Sequence, residues 1–205
     1  MKKLFLIIII LAFGTFIFSE SKEELLDKIE KRFSSIKEFS ATFNQKVAPV
    51  IGEAQFFEGT IDILRPHNLR MEIIAPEKQL ILYNGETAWV YLPEQKYCLK
   101  YSCGKENSLS KIPRYIFEPF NNLIVDTLYS DTSFIFIKLS MKEDEEFFHC
   151  IELKVSKDKM LLLSLTFKDK TGNKTEYNFS EIEVNSKKKI NFTFTPPDGI
   201  EIIEK

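Results

Sequence analysis

From Phe39 onward apolar residues return at nearly every second position, and this period constrains the architecture more than any other feature of the chain. Phe39, Ala41, Phe43, Gln45 and Val47 alternate with Ser40, Thr42, Asn44 and Lys46, which predicts a strand with one dry face and one wet face. The same pattern predicts strands over Gln55–Leu64, Leu69–Ile74, Gln79–Tyr83, Thr87–Leu92, Lys96–Tyr101 and Ser133–Met141. Further strands are expected at His149–Val155, Lys159–Phe167, Thr175–Ser180, Ile190–Phe194 and Ile200–Ile203. Asn84–Gly85 and Thr171–Asn173 supply hairpin turns, and so many short strands separated by turns imply a mainly antiparallel sheet.

Helical spacing is confined to two places. Leu25, Leu26, Ile29, Phe33 and Ile36 predict one amphipathic helix, with Ser21 and Glu24 as a capping box if processing leaves Ser21 in place. Helical turns are expected between Ser108 and Asn122, interrupted by Pro113 and Pro119. Before the first helix, Met1–Lys3 form a basic start and Leu4–Phe18 an uncharged apolar run, shorter than the roughly 20 residues that span a bilayer. Residues 1–21 therefore read as a signal peptide and 22–205 as a single domain with no linker or repeat. Cleavage after Ser21 puts Ser19 third from the bond in a small-x-small pattern; the bond after Ser19 is the other candidate.

Charge and composition exclude several functions. A net charge of -2 offers no basic face for nucleic acid, and two histidines leave no histidine-rich metal centre, so neither a metal nor a cofactor is expected. No nucleophile elbow, phosphate loop or His-Glu-x-x-His motif occurs. His149 adjoins Cys150, but neighbours on a strand point to opposite faces and do not form a nucleophile–base pair. The run Glu143–Glu146 reads as a solvated hairpin tip, and Lys187–Lys189 as a basic turn. Export would place the cysteines where disulfides form. Cys98 and Cys103 lie close enough in sequence to pair; two thiols, or a pairing that involves Cys150, are the alternatives.

Several strands are apolar on both sides. In the Gln79–Leu92 hairpin, Leu80, Leu82, Ala88, Val90 and Leu92 are expected on one face and Ile81, Tyr83, Trp89 and Tyr91 on the other. Leu161, Leu163, Leu165 and Phe167 are likewise set against Met160 and Leu162. Helices can hide one face of such a sheet. The other must be hidden by packing, by closure, by a partner or by an apolar ligand. Arg65 ends an apolar strand just before Pro66, where its guanidinium could donate to carbonyls of a covering helix or form a surface salt bridge.

Four ordered stretches then carry a resemblance. Phe39–Val47 (FSATFNQKV), Glu58–Glu72 (EGTIDILRPHNLRME), Pro76–Tyr91 ending in NGETAWVY, and Asn191–Ile200 (NFTFTPPDGI) resemble the periplasmic outer-membrane lipoprotein carrier protein (LolA) family. The Phe-x-Phe-x-Pro-Pro-x-Gly ending is the most specific of these. The resemblance implies a mainly β, α+β fold: a strongly curved antiparallel sheet forming an incomplete β-barrel, with helices as a lid over an apolar cavity. It implies a non-enzymatic, monomeric chaperone of the periplasm that binds lipoprotein acyl chains and moves lipoproteins from the inner to the outer membrane. The partners implied are acylated lipoproteins, an ATP-driven inner-membrane release complex and an outer-membrane receptor.

The family's lid latch falls on Arg65. The candidate acyl-contact set is Phe43, Phe57, Ile61, Ile63, Leu69, Met71, Leu80, Leu82, Trp89, Tyr91, Ile116 and Phe117. The chain departs from the family in having Met71 where many members carry tryptophan, and in its Cys98 and Cys103. The alternatives are a carrier or sensor for another lipid, and a protein-interaction module on the same fold.

Overall fold

A computed structural model describes residues 21–102, 108–121, 123–141 and 148–205. The expected signal peptide, apart from Ser21, and the acidic run Glu143–Glu146 lie outside the described residues. The chain begins with α1 (Lys22–Ser35), entered through the Ser21–Glu24 capping box, in which Ser21 Oγ accepts from Glu24 N and the Glu24 carboxylate accepts from Ser21 N. Leu25, Ile29 and Phe33 share its buried face. The chain then runs directly into β1 (Glu38–Ala48), β2 (Gln55–Leu64), β3 (Asn68–Ala75), β4 (Gln79–Tyr83), β5 (Thr87–Leu92) and β6 (Tyr97–Ser102). After α2 (Ser108–Phe117) come β7 (Leu123–Ser130), β8 (Phe134–Met141), β9 (Cys150–Ser156), β10 (Leu162–Lys168), β11 (Lys174–Val184) and β12 (Glu201–Glu204).

All strands join one 12-stranded sheet in the order β12-β6-β5-β4-β3-β2-β1-β11-β10-β9-β8-β7. It is curved and open: β12 and β7 are its free edges and do not meet. Two meanders, β1–β6 and β7–β11, are stitched together where β1 pairs with β11. Every ladder is antiparallel except that of β12, which lies parallel to β6.

The expected strands are present except for Ile190–Phe194, and three further differences have a common cause, a break in the backbone period. In β7 a register shift between Val125 and Thr127 moves the inward positions from Leu123 and Val125 to Leu128, so the run shows no sustained period and the strand is not predicted. In β11 the left-handed Glu181 (φ 50°) changes phase, so that Tyr177 and Phe179 are followed inward by Ile182 and Val184, well past the expected end at Ser180. A shift between Leu162 and Ser164 in β10 puts Leu162, Leu165 and Phe167 on one face, where unbroken alternation groups Leu163 with Leu165.

The β4–β5 faces also differ from expectation. Asn84 Oδ1 accepts from Glu86 N and Thr87 N, Asn84 N donates to Thr87 O, and Gly85 takes φ 93°, closing a turn that pairs Tyr83 with Ala88. Leu80 therefore opposes Tyr91, and Leu82 opposes Trp89, on one face; Ile81, Tyr83, Ala88 and Val90 occupy the other.

The concave face carries the main core. Phe39, Phe43, Ile61, Ile63, Leu69 and Met71 from β1–β3 form one buried cluster with Ile135, Ile137, Leu153 and Leu165 from β8–β10 and with the inward residues of both helices. The opposite face of β3–β5 is partly covered by the chain's own carboxy-terminal segment around Asn191 and Phe194. Arg70 Nη1 donates to Asn191 O at 3.3 Å, and the Phe194 ring lies 5.5 Å from Trp89 and 5.3 Å from Tyr91. The expected strand Ile190–Phe194 is thus a strap without a ladder; its alternation reflects packing across a sheet, not pairing within one.

Gly59 in β2 lies between Phe43 and Ile73, and a Cβ placed there would sit 2.0 Å from the backbone carbonyl oxygen of Glu72. The clash is with backbone inside a ladder, which cannot rotate away. Gly59→Ala should therefore cost about 1–3 kcal/mol, seen as a lower urea midpoint with an unchanged slope.

Candidate functional site

The two helices cover the concave face, and their carboxy-terminal ends converge on one side chain. Arg65 follows β2 directly, its backbone N–H donating to Lys37 O at 2.9 Å and its peptide bond to Pro66 cis. Its Nε donates to Ile36 O at 2.8 Å, and its Nη2 to Phe117 O at 3.2 Å and, more weakly, to Phe33 O at 3.4 Å. Nη1 pairs with the Glu118 carboxylate, and the guanidinium carbon stands 4.6 Å from the centre of the Phe117 ring. The last carbonyls of a helix lack partners within it and carry the negative end of its dipole, so a cation with a planar fork of donors suits both helix ends at once.

Asn185, in left-handed conformation (φ 56°), is a second tie on α1. Its Oδ1 accepts from Lys37 N at 2.7 Å and Glu38 N at 3.2 Å, while its Nδ2 donates to Ser35 O at 3.1 Å. Residues past the end of α1 are thus held to β11 as well as to β2. Arg65 ties α2 to the same end of the sheet.

Clefts mark the seam. One of about 230 Å³ lies between Glu30, Phe33, Ser34, Arg65 and Phe120, and another of about 370 Å³ lies between Arg65, His67, Tyr83, Pro113 and Arg114. Arg65, Phe117 and Glu118 form a wall common to both. At the far end of α2 a third, of about 190 Å³, is lined by Gln45, Ile112, Tyr115, Phe148, Phe167 and Tyr177. Tyr115 and Phe167 have ring centres 5.4 Å apart there, and Gln45 Nε2 donates to the Tyr177 hydroxyl at 2.9 Å. The arrangement holds apolar surface under a cover that one charged side chain fastens.

The family model for the outer membrane lipoprotein carrier protein LolA matches residues 34–195, from the end of α1 through the strap. The chain belongs to this family. Among curated lipoprotein carriers, that of Dechloromonas aromatica (strain RCB) is 27% identical over 184 residues, covering 87% of this chain and 86% of the relative. That of Pseudoalteromonas translucida (strain TAC 125) is 25% identical over 211 residues, covering 98% and 97%. An uncharacterized conserved protein from Thermus thermophilus shares the fold at 15% identity, with a TM-score of 0.54 over 89% of this chain and 98% of that one. The family is one of carriers, not of enzymes.

Within this lipoprotein-carrier fold the sequence-based candidates separate into two groups. Phe43, Ile61, Ile63, Leu69, Met71, Ile116 and Phe117 lie buried together beneath the helices, with Phe57 packed at their margin. Leu80, Leu82, Trp89 and Tyr91 lie on the opposite face, Trp89 and Tyr91 against Phe194 of the strap, and are not brought to the concave cluster. Cys98 is buried on that second face, opposite Tyr91, and burial pushes its thiol up; Cys103 lies outside the described residues. Glu118 and Asn185 are not singled out by sequence reading. The Glu-Pro pair at residues 118 and 119, just after α2, is the available signal for the first; nothing comparable marks the second.

Replacing Arg65 by Leu leaves buried helix-end carbonyls without donors, a loss of about 1–3 kcal/mol at the lid. Amide exchange in α2 should accelerate about ten- to hundredfold while the β1 and β11 amides keep their own slow rates; equal acceleration in β1 would mean that the arginine supports the whole fold.

Tyr177 is buried, and burial holds its phenol well above the ordinary tyrosine value. Above pH about 10 an unfolded tyrosine has lost its proton while the folded one retains it, so the unfolded state binds fewer protons and stability falls as pH rises. Tyr177→Phe should flatten that alkaline decline in urea midpoints while costing about 1 kcal/mol at neutral pH through the lost Gln45 bond.

Proposed function

We propose that this protein is a periplasmic carrier that takes the acyl chains of lipoproteins at the inner membrane, shields them from water and delivers the lipoproteins to the outer membrane. The observation that carries this reading is the concave apolar face of a LolA-family sheet, closed by two helices whose ends meet on Arg65. Three long acyl chains hold on the order of 45 methylenes at about 0.8 kcal/mol each, so their exposure to water would cost tens of kcal/mol. Such a cargo cannot cross an aqueous space unaided. No helix among the described residues is long and apolar enough to cross a membrane.

Loading is an exchange of covers. In the closed form Leu25, Ile29 and Phe33 of α1 and Ile112, Ile116 and Phe117 of α2 are buried in the cluster that the concave face provides. Acyl chains entering from the α2 side displace these side chains, and Arg65 gives up its carbonyl partners as α2 moves. The face recognises apolarity without directional polar contacts, so cargo is selected by its fatty chains and not by the protein attached to them. Nothing in this cycle requires a covalent step. Direction comes from the partners, an ATP-driven release complex at the first membrane and a receptor at the second.

The amino-terminal residues 1–21 contain the export signal in this reading. Cleavage after Ser19 leaves the capping box of α1 intact, whereas cleavage after Ser21 removes the cap; amino-terminal sequencing of the exported protein distinguishes the two.

The functional test is recovery of the protein from its own periplasm, native mass spectrometry of what it holds, and incubation with acceptor membranes. Bound triacylated lipoprotein that passes to the acceptor supports the carrier. A small lipid in its place assigns a different cargo, and the absence of any acylated species removes the reading. Arg65→Leu should load cargo but deliver it several-fold more slowly, since reclosure of the lid no longer opposes the bound state; unchanged delivery by the folded variant would take Arg65 out of the cycle.

A further inference from the structure

We infer that the paired hairpin tips at one end of the sheet, residues 49–56 and 169–173, form a membrane-contacting prow that dips into the surface of a phospholipid bilayer. The inference rests on the carrier reading in that it gives the protein a way to address the membranes between which it moves.

Three large apolar side chains stand in water at this end. Ile51 is 91% exposed, Phe56 64% and Val50 62%, the three highest values among the large hydrophobics of the described residues. They are not loose. Val50 N donates to Asn173 Oδ1 at 3.0 Å, and a methyl of Val50 lies 3.0 Å from where a Cβ on Gly172 would be, so the two tips are docked side by side. Asp169 stiffens the second tip by accepting from Thr171 N, Thr171 Oγ1, Asn173 N and Asn173 Nδ2. Val50 is thereby held against a tip that is itself stiff, and exposure of this kind at one place marks an interaction site.

The shape and the charges favour lipid as the occupant. Protein partners usually seat an aromatic anchor in a pocket within a broad flat area, but the apolar residues here sit on and beside a hairpin tip, and none of the clefts around Arg65 or α2 is lined by them. A fluid bilayer surface closes around a protrusion without needing a matching shape. Lys46 has its ammonium 5.7 Å from the centre of the Phe56 ring, where it can stay with phosphate groups while the ring enters below them. Lys174, at the foot of the adjoining tip, is ion-paired with Glu176 at 2.8 Å, and Asp169 turns its carboxylate inward to its own loop, so the charge contact to phosphate falls to Lys46. Gln45 and Tyr177 of the aromatic cleft beside α2 lie within about 17 Å of the tip along β1 and β11. A prow seated in headgroups therefore brings that cleft near the acyl region.

The test is flotation of the full chain with protein-free vesicles of phosphatidylethanolamine and phosphatidylglycerol, at low salt and at about 0.5 M salt, which screens surface charge. Wild type should float under both conditions. Ile51→Asp combined with Phe56→Ser should lower the partition about tenfold or more, with Ile51→Ser alone intermediate and circular dichroism unchanged. Ile202→Asp, on the free edge strand β12 where the parent residue is 47% exposed, should stay within about twofold of wild type, because the ladders set it in the row of Thr60 and Thr42, across the sheet from the tips and short of them. Absence of wild-type flotation would overturn the inference and assign the tips to a protein partner. Loss of binding at high salt, or an equal loss in Ile202→Asp, would overturn it as well. Retention of a triacylated lipopeptide, measured on the same proteins, is independent of these outcomes. If the wild type binds vesicles but no lipopeptide, the carrier reading fails and the prow stands; if it retains lipopeptide but does not float, the reverse holds.

Discussion

A sheet that is apolar on both faces has to be covered twice, and everything distinctive in this structure follows from how differently the two covers are made. The strap over β3–β5 continues from β11 and ends in β12, so it is held by chain connectivity, by Phe194 against Trp89 and Tyr91, and by a ladder to β6. The helices over the concave face hold by apolar packing, which has no direction and accepts any apolar substitute. They add a few polar ties at their ends. One face is therefore covered in part by the fold's own strap, which leaves a cleft of about 350 Å³ between Arg70, Ile74, Leu80 and Tyr91, and the other is closed in a form that an apolar ligand can compete with.

Arg65 suits the weaker cover because of where it stands. The end of β2 is fixed by ladders on both sides, so the guanidinium is presented from a rigid base toward two helices that otherwise share little. A lysine at the same place has no planar fork with which to reach Ile36, Phe117 and Glu118 together. The side chain is nonetheless 24% exposed and its Glu118 partner 42% exposed, so the ion pair is screened and worth little by itself. A moderate latch is what an equilibrium between closed and loaded forms requires, since a ligand can shift such an equilibrium only by its differential affinity for the two states. The asymmetry of the ties matters here: Asn185 holds the chain past α1 to β11 whether or not Arg65 lets go, which leaves α2 as the element free to swing.

Most of the strands were legible because a half-buried strand writes its two faces into alternate residues. Alternation stops being informative where the backbone breaks its own period. The bulge in β7 hides a whole strand, and the left-handed Glu181 hides the last turn of phase in β11 that brings Ile182 and Val184 inward. Alternation is also blind to what does the burying. Ile190–Phe194 looks like a strand because one side of it lies against aromatic rings, yet it joins no ladder, and the second apolar face it covers was open to being a ligand surface. Arg65 was visible through its place before Pro66 and through the resemblance. Glu118 and Asn185 were not, because a polar residue in a connection gains its role from partners 53 and 148 positions away.

The filled concave face is compatible with carrying cargo, and it explains how release can be easy. A preformed empty cavity of apolar walls would bind acyl chains with the full benefit of removing them from water and would give them up slowly. Here the closed protein already satisfies the same surface with side chains of α1 and α2, so loading replaces one apolar contact by another, and the net gain is the difference between two similar burials. The helices then act as an internal competitor whose effective concentration is set by their attachment to the sheet. In the proposed cycle cargo stays shielded while it has nowhere better to go, and an acceptor that offers a modestly better apolar environment would suffice to draw it off as the helices return to Arg65.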